Sequence, residues 1–400
     1  MKKICVLGMG YIGLPTASTL ATRGFSVIGV DVNPRIVRLL NAGRVHIIEP
    51  DLDTILTAAI RSRHLRAQTH PEPADVFMIC VPTPINHQTK KADLSYVISA
   101  AEMIVPHLHK GNLVIVESTI PPHSTEEIVI PILKKSGLKI GQDLFVAHCP
   151  ERVLPGRILT EIIQNHRVVG GVNPRSAEMA RDLYASFVKG DIFLTDLKTA
   201  ELVKLSENSY RDVNIAFANE LSLLCEESNV DPWRVIELAN KHPRVKVLSP
   251  GPGVGGHCIA VDPWFLVERY PESARLIRQA RQVNDARPSQ IVDQVERAAR
   301  DLRRPIVACL GLTYKADIDD TRESPALDIV RELQRRGRIK LLISDPYVKA
   351  VEGIRLTPWR KAISQANIVL LLVDHKEFKA IPAKDRKGKI IIDTRGIWRP

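Results

Sequence analysis

Four hundred residues, 44% hydrophobic and 25% charged, exceed what one core absorbs and predict a soluble globular protein of two or three domains. The formal net charge of +11 invites a nucleic-acid reading, but Lys and Arg are scattered among Asp and Glu in short clusters such as Arg335-Arg336-Gly337-Arg338, and 5% aromatics offer no stacking platform. A field of that sign serves equally to draw in a small phosphorylated ligand.

The six cysteines, Cys5, Cys80, Cys149, Cys225, Cys258 and Cys309, form no CxxC pair, which argues against a zinc or disulfide framework. Several sit in apolar runs, as reduced thiols of a cytoplasmic protein do. No apolar run approaches about 18 residues, so no transmembrane span, membrane partner or metal site is expected. The Met1-Lys2-Lys3 start resembles a signal peptide, but Gly8, Gly10 and Gly13 interrupt the apolar stretch behind it.

Those glycines have a better reading. Lys3 to Leu7 predicts a strand, Gly8-Met9-Gly10-Tyr11-Ile12-Gly13 follows at once, Pro15 to Arg23 predicts a helix, and Phe25 to Val30 predicts a second strand ending in Asp31. A GxGxxG alone is a weak signal. Set between a strand and a helix, with an acid about 20 residues beyond, it is the full dinucleotide fingerprint. The glycines let a pyrophosphate approach the backbone, and the helix N-terminus supplies N–H groups and a favourable dipole. Asp31 would accept both ribose hydroxyls and repel a 2′-phosphate, favouring NAD over NADP, while the nearby Arg35 leaves NADP open.

The alternation continues. Asp75 to Val81 ends in Pro82-Thr83-Pro84, Asn112 to Val116 ends in Glu117-Ser118-Thr119, and Phe145 to Ala147 leads into His148-Cys149-Pro150-Glu151-Arg152. Ligands of open α/β sheets bind at the carboxyl ends of the strands, which directs Thr83, Thr119 and Glu151 to the cofactor cleft. Thr199 to Ser228 lacks Gly and Pro and predicts one helix of about 30 residues, roughly 45 Å long and able to join two domains. Lys204, Asn208 and Arg211 share one face of it. By spacing alone that stripe is a solvated face or the wall of a pocket for a phosphorylated ligand.

Pro250-Gly251-Pro252-Gly253-Val254-Gly255-Gly256-His257-Cys258 and Asp262-Pro263 follow. By itself this loop reads equally as a Gly/Pro turn with a buried cysteine and as a stiff cradle presenting Cys258 to a ligand. The last third repeats the α/β pattern. Strands are predicted at Pro305 to Leu310, Ile339 to Asp345, Ala366 to Val373 and Lys389 to Asp393, with Ser324 as N-cap and Pro325 as first residue of a helix. This second sheet has no GxGxxG and is expected to grip something other than a dinucleotide.

Three motifs in this order, Gly8-Met9-Gly10-Tyr11-Ile12-Gly13-Leu14-Pro15, Gly255-Gly256-His257-Cys258 with Asp262-Pro263, and Gly311-Leu312-Thr313-Tyr314-Lys315 with Asp320-Thr321-Arg322-Glu323-Ser324, make the chain resemble the UDP-glucose/GDP-mannose dehydrogenase family over essentially its whole length. The resemblance implies an α/β protein with two Rossmann-like doubly wound domains joined by a long central helix. Residues 1–195 would bind NAD, 196–298 would form a helical dimerisation domain carrying the cysteine loop, and 299–400 would bind the UDP-sugar.

It also implies an NAD-dependent four-electron oxidation of a sugar C6 alcohol to a carboxylate. Cys258 would be the nucleophile and Lys204 the general acid/base, with Asp262 and Glu151 assisting water and proton transfer. By the same resemblance Gly8, Gly10, Tyr11, Ile12, Gly13, Asp31, Thr83, Thr119 and Arg322 hold NAD. Arg152, Val153, Lys204, Asn208, Arg211, Gly255, Tyr314, Lys315 and Arg395 hold the UDP-sugar, and His242 and Arg244 reach the neighbouring subunit's site in a homodimer. Within the family, Pro150-Glu151-Arg152-Val153-Leu154-Pro155-Gly156, the Glu207 to Asn214 run and His242-Pro243-Arg244-Val245 imply UDP-N-acetyl-D-mannosamine as substrate, with UDP-N-acetylglucosamine or UDP-glucose as alternatives. The glycines of the cysteine loop are expected to leave room for the sugar nucleotide. His257 carries no assigned role. A redox-sensing or scaffold protein that keeps the fold without the chemistry would have lost Cys258 or Lys204, and both are present.

Overall fold

In the computed structural model, which describes residues 2–256 and 258–398, short apolar runs alternate with helices to give two units, Met1–Glu207 and Asn208–Pro400. The first carries an eight-stranded sheet: β1 (Lys3–Leu7), β2 (Ser26–Val30), β3 (Leu65–Gln68), β4 (Val76–Ile79), β5 (Asn112–Val116), β6 (Leu144–His148), β7 (Arg167–Gly171) and β8 (Ile192–Asp196). All five residues of β5 are buried, as in a strand covered by helices on both faces. Alternation in β1 sends Ile4 and Val6 to one core and Cys5 and Leu7 to the other.

The order is β3-β2-β1-β4-β5-β6-β7-β8. From β1 the chain builds outward through β2 and β3, then returns to lay β4 on the other side of β1. That reversal opens a crevice at the carboxyl ends of β1 and β4. Every neighbouring pair is parallel except β6 and β7, which run antiparallel through Ala147↔Gly171 and His148↔Gly170. β3, β7 and β8 are additions to the predicted elements. Their sequences explain this: β7 opens on a charged residue and closes on two glycines, and β8 presents Phe193 and Leu194 largely to solvent.

The predicted long helix runs over Leu197–Glu227, with residues 197–207 in the first unit and 208–227 in the second. Among the described residues, no helix is long and apolar enough to cross a membrane. The second unit's sheet has β9 (Ile306–Leu310), β10 (Lys340–Ser344), β11 (Ile368–Leu371) and β12 (Ile390–Asp393), all parallel in the order β10-β9-β11-β12. The helix Pro325–Arg336 starts as predicted: the Ser324 side chain accepts the Leu327 N–H and Pro325 occupies the first turn, where no N–H is needed.

In the second unit, the helix Arg275–Ala299 packs a polar ladder against residues 208–227. Asp212 accepts hydrogen bonds from Arg281 (2.6 Å) and Asn284 (2.8 Å), and Asn284 in turn accepts one from Asn219 (2.9 Å). All four side chains are buried. Burial pushes the Asp212 carboxyl up against the opposing pull of Arg281.

Candidate active site

In the first unit the expected cofactor residues lie along the carboxyl edge of the large sheet. Gly8 adopts φ +90°, a left-handed conformation that favours glycine, and a Cβ there would come within 2.7 Å of the Cys80 carbonyl oxygen. A Cβ on Gly13 would overlap the Gly8 carbonyl oxygen, so the helix Gly13–Thr22 can start this close to β1 only with glycine at that position. Around Gly10 the space is open, with nothing within 4 Å of a built Cβ. That open side is where a pyrophosphate approaches such a turn, and Ile12 offers no side-chain cap to compete for the helix N-terminal N–H groups. The residues present therefore fit a dinucleotide.

Asp31, just beyond β2, accepts the Met9 N–H (3.3 Å) and the Asn33 N–H (2.9 Å), which turns its carboxylate toward the glycine loop. Tyr11 and Ile12 pack partly buried on the core beneath. Beyond β4 and β5, the Thr83 hydroxyl donates to the Thr119 carbonyl at 2.6 Å, and Ser118 donates to the Val81 carbonyl at 2.6 Å. These bonds stitch the two loops together.

Glu151 is buried after β6, accepting the Arg152 N–H and an Arg167 guanidinium N–H, each at 2.8 Å. Arg152 pairs with Glu207 at 2.5 Å and donates to the His166 carbonyl at 3.1 Å, while Val153 packs on the core. Lys204, 9% exposed on the long helix, makes no hydrogen bond or ion pair with another described residue of this unit. A buried lysine with no partner in its own unit is suited to meet a polar group of a ligand.

In the second unit the expected residues centre on the cysteine loop. Cys258 is exposed, and the other five cysteines are buried. Burial pushes the Cys5, Cys149 and Cys309 thiols up to about 12 and raises the Cys80 thiol well above its ordinary value, which leaves them inert. The Cys258 carbonyl accepts the Val261 and Asp262 N–H groups, setting the thiol just ahead of the helix Asp262–Arg269. Asp262 is buried and accepts a hydrogen bond from Asn208 at 2.5 Å. Arg211, on the same helix as Asn208, is exposed.

Gly251, at the head of the loop, is gripped by its backbone: its N–H donates to Asn219 (2.9 Å) and its carbonyl accepts from Arg287 (3.1 Å). Arg395 pairs with Asp374 at 3.2 Å and lays a guanidinium nitrogen 2.7 Å from where a Gly251 Cβ would sit.

The glycines of this loop do different work from that expected. Beside Gly253 lies Pro325; beside Gly255 lie the Glu323 carbonyl, Pro325 and Tyr314; the Tyr314 ring covers Gly256. The room they provide is filled by the 311–325 segment, because a side chain at any of them would hold that segment off. Tyr314 and Lys315 follow β9 and are half-buried, and the Arg322 guanidinium is bidentate to Asp320 at 2.7 and 2.9 Å. Arg322 belongs to the second unit, whereas the other expected NAD contacts belong to the first.

His242 and Arg244 are exposed beyond the helix Pro232–Ala239, on a loop that Asn240 closes through two hydrogen bonds to Val247. His257 lies outside the described residues. Sequence reasoning missed Arg167, Asn219 and Arg287. Each sits in a helix or strand with nothing local to distinguish it from a surface residue.

Three family models cover nearly the whole chain: the NAD-binding domain of the UDP-glucose/GDP-mannose dehydrogenase family matches residues 2–188, its central domain 198–286 and its UDP-binding domain 308–400. The chain belongs to this family. It is an oxidoreductase that uses NAD. An NDP-N-acetyl-D-galactosaminuronic acid dehydrogenase of Ralstonia solanacearum is 50% identical over 99% of this chain and 96% of its own length. A UDP-N-acetyl-D-mannosamine dehydrogenase of Yersinia pestis is 47% identical over 100% and 99%. Among solved structures, a UDP-D-ManNAc dehydrogenase from Pyrococcus horikoshii superposes with a TM-score of 0.92 at 42% identity, covering 99% of this chain and 96% of that one.

The glycine turn yields a paired test. Gly10→Ala should leave the melting temperature unchanged yet weaken NAD binding in a calorimetric titration, since its methyl group enters open space. Gly13→Ala should lower both, with NAD affinity falling about 100-fold as the turn is displaced. Equal melting temperatures and equal affinities for the two variants would contradict this assignment of the turn.

Proposed function

We propose that the protein oxidises the C6 alcohol of UDP-N-acetyl-D-mannosamine to the carboxylate, using two NAD in turn. The single observation that carries the chemistry is Cys258, the exposed thiol set ahead of a helix beside the buried Asn208–Asp262 pair. The Gly8–Gly13 turn, Asp31, Thr83, Thr119 and Arg322 would hold NAD, which would supply the hydride acceptor for each of two oxidations.

Lys204 takes the proton of the C6 hydroxyl and its ammonium form then balances negative charge on that oxygen. The Cys258 thiolate adds to the aldehyde carbon, giving a thiohemiacetal whose C–H is lost as the second hydride, which leaves a thioester. Glu151 and Asp262 guide the water that hydrolyses it, returning the thiol and releasing the uronate. A thiolate suits both halves of this sequence, being nucleophilic near neutral pH and a good leaving group.

In this reading residues 1–195 bind NAD, 196–298 carry the cysteine and the dimer contact, and 299–400 bind the UDP-sugar. Arg152, Val153, Asn208, Arg211, Gly255, Tyr314, Lys315 and Arg395 are the proposed sugar-nucleotide contacts. The dimer seam is proposed along the long helix, where Tyr210, Phe217 and Leu224 stand exposed at seven-residue intervals. That spacing is the one a helix–helix seam uses. His242 and Arg244 would then reach the partner's site.

The mannosamine substrate is supported by relatives of that name at 46–49% identity. A galacto-configured N-acetylhexosamine is the second reading, supported by the 50% identical relatives named for the galactosaminuronic acid.

Turnover of UDP-linked N-acetylmannosamine, N-acetylgalactosamine, N-acetylglucosamine and glucose, with NADH counted per sugar, decides the substrate. The mannosamine epimer should react fastest and give about two NADH per sugar, as a thioester route requires; no turnover of it would sink the first choice. Cys258→Ala should form no uronate and stop at the aldehyde level, and uronate at the wild-type rate would rule out the covalent route. Phe217→Glu should halve the mass seen by light scattering; an unchanged mass would remove the seam from this helix.

A further inference from the structure

The reversal of strand direction between β6 and β7 delivers a buried cation to the site. β6 ends at the carboxyl edge, and because β7 pairs with it antiparallel through Ala147↔Gly171 and His148↔Gly170, the first residue of β7 lies beyond the end of β6 on that same edge. That residue is Arg167. A parallel β7 would have begun at the opposite edge, far from Glu151. The side chain of Arg167 is 4% exposed and donates to Glu151 at 2.8 Å, with a second nitrogen 3.7 Å from Glu117. Its guanidinium lies over the Tyr184 ring, with the carbon 4.6 Å from the ring centre.

Two carboxylates face this one guanidinium. Glu117, at the end of β5, accepts a hydrogen bond from the Tyr184 hydroxyl at 2.6 Å and one from the Cys80 thiol at 3.1 Å. We infer that Arg167 is a positioning residue for the reaction, aiming the Glu151 carboxyl, with Glu117 behind it as the second carboxyl on the same guanidinium. The inference rests on the proposed role of Glu151.

The surrounding groups leave Glu151 as the principal claimant on the charge. Burial, and then repulsion by Glu151, push the Glu117 carboxyl up toward its neutral form. Burial also keeps the Tyr184 hydroxyl and the Cys80 and Cys149 thiols protonated. It depresses the fully buried His148 to about 3, which leaves it neutral. On the far side, the Arg152 guanidinium is paired with Glu207, so Arg152 meets Glu151 through its backbone N–H.

The sign of the pH effect follows. Losing the guanidinium fork weakens the positive charge facing the Glu151 carboxylate, so activity that needs that carboxylate is lost at a higher pH. Glu117, already pushed toward its neutral form, leaves that charge to Glu151, so a neutral glutamine in its place leaves the acid limb where it is.

The test is kcat and KM against pH for the wild type, Arg167→Lys, Glu117→Gln and Glu151→Gln, each with NAD and the sugar nucleotide the wild type turns over. Arg167→Lys, which keeps a charge but loses the fork, should lower kcat about tenfold with KM nearly unchanged. Its acid limb should move up by about one pH unit. Glu117→Gln, which can still accept from Tyr184, should leave the limb unmoved, and Glu151→Gln should abolish it. A wild-type profile in Glu151→Gln would refute the role of Glu151 itself. A limb lost in Glu151→Gln but unmoved in Arg167→Lys would overturn the inference alone. If Arg167→Lys does not fold, Arg167→Gln, whose amide can still donate to Glu151, takes its place: an upward shift of the limb supports the inference and an unmoved limb overturns it.

Discussion

A glycine pressed on a backbone carbonyl sets the position of everything at the cofactor crevice. Gly13 can begin its helix directly over the Gly8 carbonyl because no Cβ intervenes, and Gly8 in turn lies against the Cys80 carbonyl at the end of β4. β1 and β4 are the strands between which the sheet reverses its direction of growth. The tight contact therefore falls at the place where an open α/β sheet has a crevice. Asp31, Thr83 and Thr119 are aligned by the same edge, each following a strand in register with β1 or its neighbours.

Elsewhere the chain uses buried charge for the positioning that glycine achieves at the crevice. Glu151 is held by Arg167, and Gly251 is held by Asn219 and Arg287. Asp212, Arg281 and Asn284 tie the two helices that carry those last two side chains. Such groups are expensive to bury and yield little net stability, but a buried ion pair tolerates few alternative geometries. A loop with four glycines, leading to the one exposed thiol of the six cysteines, needs that restraint more than it needs stability.

The two sheets, the long helix and the dinucleotide turn were legible in the sequence, because each rests on local order. Parallel strands buried on both faces read as unbroken apolar runs, and a 31-residue helix without Gly or Pro announces itself by periodicity. β7 was illegible for the opposite reason. Arg167 at its head reads as a surface charge and its closing Gly170-Gly171 as a turn. Its pairing with β6 brings the one to Glu151 as a buried cation, and Asp196, Ala200 and Ala177 packed beside it make the other a close approach.

The sequence by itself determined the motifs, their order and the chemistry their residue types permit, since spacing along a helix or after a strand is a property of the chain. Tertiary structure alone decided what fills the space beside each glycine and which charges meet. Gly10 faces open space, as its motif predicts, while Gly253, Gly255 and Gly256 are occupied by Tyr314, Pro325 and the Glu323 carbonyl from 60 or so residues away, a separation no local pattern encodes. The loop around Cys258 is thus specified by its glycines in sequence and shaped by its packing partners in space, because a missing side chain records only that something comes close.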